Sequence, residues 1–134
     1  MRESLPSPGP KVRRAPSTPE PQFFSAAPEI AKAAAEWLQA LAHERRASRH
    51  TLDGYARDAA TFLAFLTEHL GDRPDRTALV ALEPVDIRAF LARRRDDGLE
   101  SRSLLRALAA IRNFMRYLEK RGLARTDVFG AVRA

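Results

Sequence analysis

The chain has 134 residues, which fits one domain and leaves little room for a two-lobed enzyme. It carries 23 Lys+Arg against 17 Asp+Glu, a formal net charge of +6, and no Cys. A disulfide framework and thiolate metal sites are thereby excluded, and three isolated histidines (His43, His50, His69) argue against a zinc centre. No apolar run approaches the roughly 18 residues of a membrane span, and the first residues lack an apolar signal stretch. These features point to a soluble cytoplasmic protein with no membrane partner and no metal or other cofactor. Only Lys11, Lys32 and Lys120 among the cations are lysines. The arginine excess suits phosphate and guanine recognition, or it reflects a GC-rich genome; position along the chain decides.

Seven of the nine prolines fall in residues 1–28, among Ser, Gly and scattered charge. Such a stretch buries too little apolar surface to offset its ordering entropy. Residues 1–27 are therefore expected to be a disordered tail. It is chiefly solubilising, although Lys11, Arg13 and Arg14 could touch nucleic acid.

From Pro28 onward, Ala, Leu, Arg and Glu dominate and β-branched residues are scarce, which predicts helix throughout. The first helix is expected over about Pro28–Arg46, with Ile30, Ala34, Trp37, Leu38 and Leu41 recurring at spacings of three and four. The second is expected to start on Ser48 as N-cap and run to Leu70, closed by Gly71. Its apolar stripe is Leu52, Tyr55, Ala59, Phe62, Leu63, Leu66 and Leu70. A loop over Asp72–Glu83 docks Leu79, Val80 and Leu82. The third helix is expected over Pro84–Asp97, with Val85, Ile87, Phe90 and Leu91 inward and Gly98 as its stop. The fourth is expected from Glu100 or Ser101 to Arg121, with Leu104, Ala107, Leu108, Ile111, Phe114, Met115 and Leu118 inward. The sum is an all-α fold, a compact bundle of four main helices. The domain is expected over residues 28–125, with the start of a linker at 126–134.

The outward faces follow from the 100° advance per residue. On the fourth helix they gather Arg102, Arg106, Ala109, Asn113, Arg116 and Lys120, a ridge with four cations, one amide and no acid. A solvated face usually alternates sign, so a single-sign ridge points to a polyanion. On the second helix the outward line is His50, Gly54, Arg57 and Thr61, with Asp53 and Glu68 nearby. Gly54 costs about 1 kcal/mol inside a helix. Either a nucleic-acid backbone approaches there, or another helix packs closely.

Both of these helices start on small polar and basic residues: Ser48-Arg49-His50-Thr51 and Ser101-Arg102-Ser103. Helix starts favour phosphate, and hydroxyl and guanidinium groups there can reach base edges. Ser48 and Ser101 are expected to be plain N-caps. Arg49, Arg102 and Arg106 have no such simple role. Arg93-Arg94-Arg95 sits in a last turn, where it complements the helix dipole. His43-x-x-Arg46, Tyr55 and Tyr117 mimic catalytic groups, but no second base, phosphate loop or carboxylate pair accompanies them. No chemistry is expected of this segment.

Three motifs in series carry a resemblance. Ser48-Arg49-His50-Thr51-Leu52-x-x-Tyr55-x-Arg57-Asp58 resembles the S-x-x-T-L-x-x-Y-x-x-D opening of the core-binding domain of tyrosine recombinases. Asp86-x-x-x-Phe90-Leu91-x-x-Arg94 follows. Then comes Gly98-Leu99-x-x-Arg102-Ser103-x-x-Arg106-x-Leu108-x-x-Ile111-Arg112-x-Phe114-x-Arg116-Tyr117-Leu118. Order and spacing are similar to the XerC and XerD branch, XerC the closer, over residues 28–134.

The resemblance implies a SAM-like helical bundle of the phage-integrase N-terminal type, one half of a clamp around duplex DNA. It places the second and fourth helices against the major groove, with contacts at His50, Thr51, Gly54, Arg102, Ser103 and Arg106. The helical faces add Arg49, Arg57, Asn113 and Arg116. It further implies partner recombinase protomers, as a XerC/XerD heterotetramer on DNA, and a nucleoid-associated task of resolving chromosome dimers before division. The chemistry, through a phosphotyrosine intermediate, belongs to a C-terminal domain not represented here, so this segment is expected to be a fragment without catalytic residues. The alternative is a helical protein–protein interaction module that does not bind DNA.

Overall fold

A computed structural model describes residues 25–44 and 47–132. The disorder expected of the tail lies outside the described residues, apart from its last three. Those three pack: Ala26 is buried, the Ala27 N–H donates to Pro74 O at 3.1 Å, and Thr67 Oγ1 donates to Ser25 O at 2.7 Å. The folded unit thus begins before Pro28.

The helices are α1 (Pro28–Glu44), α2 (Arg49–Leu70), α3 (Arg76–Val80), α4 (Pro84–Asp96) and α5 (Ser101–Lys120). Among the described residues there is no strand. The four long helices are the four expected. The fifth, α3, lies where a loop was expected, because Asp75 caps it: Asp75 Oδ1 accepts the Ala78 N–H at 2.9 Å. One helical turn is enough to carry Leu79 into the core, where it is 1% exposed.

The ends of the long helices follow local chemistry. Ser48 Oγ accepts the Thr51 N–H at 3.1 Å and starts α2. Gly71, at φ 88°, adopts the left-handed conformation that a side chain disfavours and donates its N–H to Thr67 O at 3.0 Å. Ser101 does not cap α5 as expected; it is the first helical residue, and Glu100 stands at the N-cap without a side-chain hydrogen bond.

The long helix α5 is the centre of the bundle and touches α1, α2 and α4. All seven of its expected inward residues are buried, and Ala110 joins them. Trp37 locks three helices together. Its ring stacks with Tyr55 of α2 (centroids 6.2 Å, interplanar angle 12°) and meets Phe114 of α5 at 4.9 Å. Phe62 and Phe90 meet edge-on at 5.1 Å between α2 and α4. Each such side chain, once buried, contributes roughly 1.5–3 kcal/mol.

Two expected core residues are exposed instead, Leu70 at 41% and Val85 at 57%. Both stand in the terminal turn of a helix, Leu70 as the last residue of α2 and Val85 as the second of α4. The chain end also departs from expectation. Residues 126–132, read as the start of a linker, carry a 3-10 turn (Asp127–Ala131) whose Val128 and Phe129 are buried, as is Val132. Arg112 donates to Phe129 O and Arg88 to Ala131 O, each at 3.4 Å, so two guanidinium groups hold the turn against the bundle.

Candidate nucleic-acid interface

The described cations divide by what they touch. Around α4 and the chain end, acids of the fold engage four of them, and Arg95 is left exposed without a partner among the described residues. Arg93 donates to Glu68 at 3.0 Å, Arg94 to Asp97 at 3.3 Å and Arg121 to Glu36 at 2.6 Å, while Arg125 pairs with Asp127. The hydrogen bond to Glu68 is the main cause that raises the Arg93 pKa above its usual value. Arg76, Arg88 and Arg112 spend their donors on backbone carbonyls. Arg93 and Arg94 of the triplet therefore have structural partners beyond their complement to the helix dipole, while Arg95 has no side-chain partner among the described residues.

The outward lines of α2 and α5 differ. Among the described residues, Arg49, Arg57, Arg102, Arg116 and Lys120 have no ion-pair or side-chain hydrogen-bond partner, and all five are exposed. His50 and Thr51 are exposed beside Arg49 in the first turn of α2, and Ser103 is half-buried in the first turn of α5. Thr51 Oγ1 accepts from Ser48 Oγ at 3.0 Å, which leaves its own O–H free to donate outward.

Two residues of the expected contact set have other partners, and a third, Gly54, is buried. Asn113, expected on the outward ridge, turns its amide to the bundle: Oδ1 accepts from Trp37 Nε1 at 2.8 Å. A buried indole N–H needs an acceptor, and Asn113 is the one in reach. Arg106 is tied to α2. Its Nε donates to Asp58 Oδ2 at 3.2 Å and its Nη2 to Asp58 Oδ1 at 3.3 Å. The ridge of α5 has no acid of its own, yet a carboxylate reaches it from the neighbouring helix. Gly54, one turn before Asp58 and expected on the outward line, is buried, but no other helix packs closely on it, for a Cβ added there meets nothing within 4 Å beyond its own stretch of helix backbone.

Asp58 is the residue that the outward-face argument passed over. It is the single buried charged side chain among the described residues, 2% exposed. The signal was present: an acid on the flank of an otherwise apolar arc, between Gly54 and Phe62, demands a buried partner. The ridge also carries Leu105, 58% exposed between Arg102 and Ala109. Among the described residues no three His, Asp or Glu gather as metal ligands, and no helix is long and apolar enough to cross a membrane.

The model of the family described as "Phage integrase, N-terminal SAM-like domain" matches residues 34–122. The chain belongs to that family. This SAM-like domain is 47% identical over 117 residues to a protein of Methylobacterium nodulans named "Tyrosine recombinase XerC", covering 87% of this chain and 36% of that protein. It is 49% identical over 107 residues to one of the same name from Rhizobium meliloti, covering 80% and 34%. A third of that name, from Nitrobacter winogradskyi, is 44% identical over 123 residues, covering 92% and 38%. The SAM-like domain thus spans little more than a third of the length of these relatives. No solved structure was found to match it. The matched span runs from the middle of α1 to the end of α5 and so includes both cationic faces and the Asp58–Arg106 pair.

Proposed function

We propose that this SAM-like domain grips duplex DNA through the outward faces of α2 and α5, as the DNA-holding part of a site-specific tyrosine recombinase. Residues 25–132 form the gripping unit. Arg49, Arg57, Arg102, Arg116 and Lys120 neutralise phosphates, while His50, Thr51, Ser103 and Arg106 approach base edges in the major groove and Gly54 admits the backbone. Asn113 supports the face from behind by holding Trp37. The rest of the recombinase supplies the chemistry, cutting and rejoining DNA through a phosphotyrosine bond. Its task is to resolve chromosome dimers before cell division, in the cytoplasm, with XerC- and XerD-type protomers assembled on one DNA site.

One observation carries this reading. Five of the eight exposed cations without a side-chain partner among the described residues lie on two helices joined by the Asp58–Arg106 pair, the others being Lys32, Arg73 and Arg95, while most arginines around α4 and the chain end are engaged by acids or carbonyls. The names of the relatives supply the second support.

The test is the salt dependence of binding to duplex DNA. With about five phosphates neutralised, the slope of log K against log salt is expected near −0.9 × 5, roughly −4.5. Replacing Arg102 and Arg116 together by Ala should flatten it by about 1.8, while Arg93→Ala leaves it unchanged. Equal slopes in all three proteins would remove this face as the contact surface. No duplex binding by the wild-type chain at low salt would favour the protein-interaction alternative.

A further inference from the structure

The Asp58–Arg106 pair does more than neutralise a buried acid. Asp58 is 2% exposed, but the Arg106 side chain is 49% exposed, so the pair sits at the boundary of core and solvent. The contact is side-on: Nε and Nη2 face the two carboxylate oxygens at 3.2 and 3.3 Å. A guanidinium has five N–H donors in a rigid fork. The side-on pairing uses the Nε edge and leaves Nη1, with the outer N–H of Nη2, without a partner among the described residues. Those two nitrogens are the end-on fork that matches guanine O6 and N7.

Two features put that fork where a base edge can reach it. Arg106 lies one helical turn from the unpartnered Arg102 and three residues from exposed Ala109, on the outward side of α5. On the partner helix, Gly54 precedes Asp58 by one turn; it is buried, yet the space that its Cβ would occupy is open. A lysine could neutralise Asp58, but it could neither span both carboxylate oxygens nor present a planar two-donor edge.

We propose that Asp58 is a positioning residue that fixes Arg106 as a guanine-reading fork, so that this position of the interface specifies a base where its neighbours contact phosphate. The inference rests on the DNA-binding reading above and adds sequence selectivity to it. The carboxylate removes rotamer freedom from a long side chain before DNA arrives, so less entropy is lost when the base is bound.

The experiment is selection from a random duplex pool with the chain, followed by binding to the selected duplex. The wild-type chain is expected to enrich one guanine column, with discrimination of roughly 5- to 150-fold over other bases. Arg106→Lys keeps the charge and should keep the salt slope within about one unit, yet lose that column. Asp58→Asn keeps the shape; it should weaken the same column while binding to unselected DNA holds or tightens, because a negative charge has been removed. Should Asp58→Asn fail to fold, the DNA supplies the probe instead. Replacing the selected guanine by 7-deazaguanine removes the N7 acceptor and should weaken the wild-type chain but not Arg106→Lys. A guanine column unaltered in Arg106→Lys, or indifference of the wild type to 7-deazaguanine, overturns this inference and leaves DNA binding standing. No binding to any duplex overturns both.

Discussion

Arg93 and Arg94 of α4 and Arg102 and Arg116 of α5 are the same residue in the same kind of helix, yet they are placed differently. On α4, Arg93 and Arg94 meet acids at 3.0 and 3.3 Å, and Arg88 meets a carbonyl. On α5, Arg102 and Arg116 meet nothing among the described residues. Exposed pairs such as Arg93–Glu68 add little, because water and salt screen them, so the difference is small in stability. It is larger in potential, because Arg102 and Arg116 keep their charge unneutralised where Arg93 and Arg94 do not. The placement of acids, more than the number of arginines, decides which surface keeps its positive charge.

Arg106 belongs to both regions, and there the comparison is easiest to break. Arg106→Met leaves Asp58 buried and unpaired, and removal of one member of a buried pair costs up to about 3–5 kcal/mol. Half of the Arg106 side chain is in water, so about 3 kcal/mol is the expected loss by urea or thermal unfolding. A loss below about 0.5 kcal/mol would mean that Asp58 is not held by Arg106.

Gly54 sharpens the comparison from the other side. A helix-interior Gly→Ala change with free space for the new Cβ should stabilise by about 0.5–1 kcal/mol. The same variant should bind duplex DNA several-fold more weakly, since the methyl group stands where the backbone approaches. A protein that is more stable and binds as before would separate Gly54 from the interface.

The smallest effect is expected in the paired region. The Asp127 carboxyl is held below its usual pKa, first by the Arg125 hydrogen bond, with burial opposing and the Arg125 charge assisting. A lowered folded-state value stabilises above the unfolded pKa, and the gain is lost as pH falls through the folded value. The thermal midpoint of the wild type should exceed that of Asp127→Asn slightly at neutral pH, and the gap should close on acidification below the ordinary Asp range. A gap that widens on acidification would contradict the assignment.

Much of this was legible without coordinates. The periodic stripes around Trp37, Phe62 and Phe114 placed four helices and nearly all of the core, because a 3.6-residue repeat has one way to bury its apolar side. Misjudged positions stand at the ends: Leu70, Val85, Ser101 and the turn at Val128–Phe129. End residues depend on what lies beyond the helix, which periodicity does not encode. At the interface, the helical wheel located Arg102, Arg116 and Arg57 on open faces but assigned Asn113 and Arg106 as free. Each has a partner from another helix, Trp37 at a separation of 76 residues and Asp58 at 48.

The order of residues by itself determined that the chain is helical from Pro28 onward, which side of each long helix is apolar, and that two polar faces are basic. These are local properties, set by spacing and composition within one helix. Only the tertiary structure decided which cations are already neutralised, that Asp58 is buried against Arg106, and that the chain end folds back on α4. Those facts depend on which helix faces meet across long separations, and Coulomb attraction and hydrogen bonding act over a few ångströms of space whatever the distance along the chain.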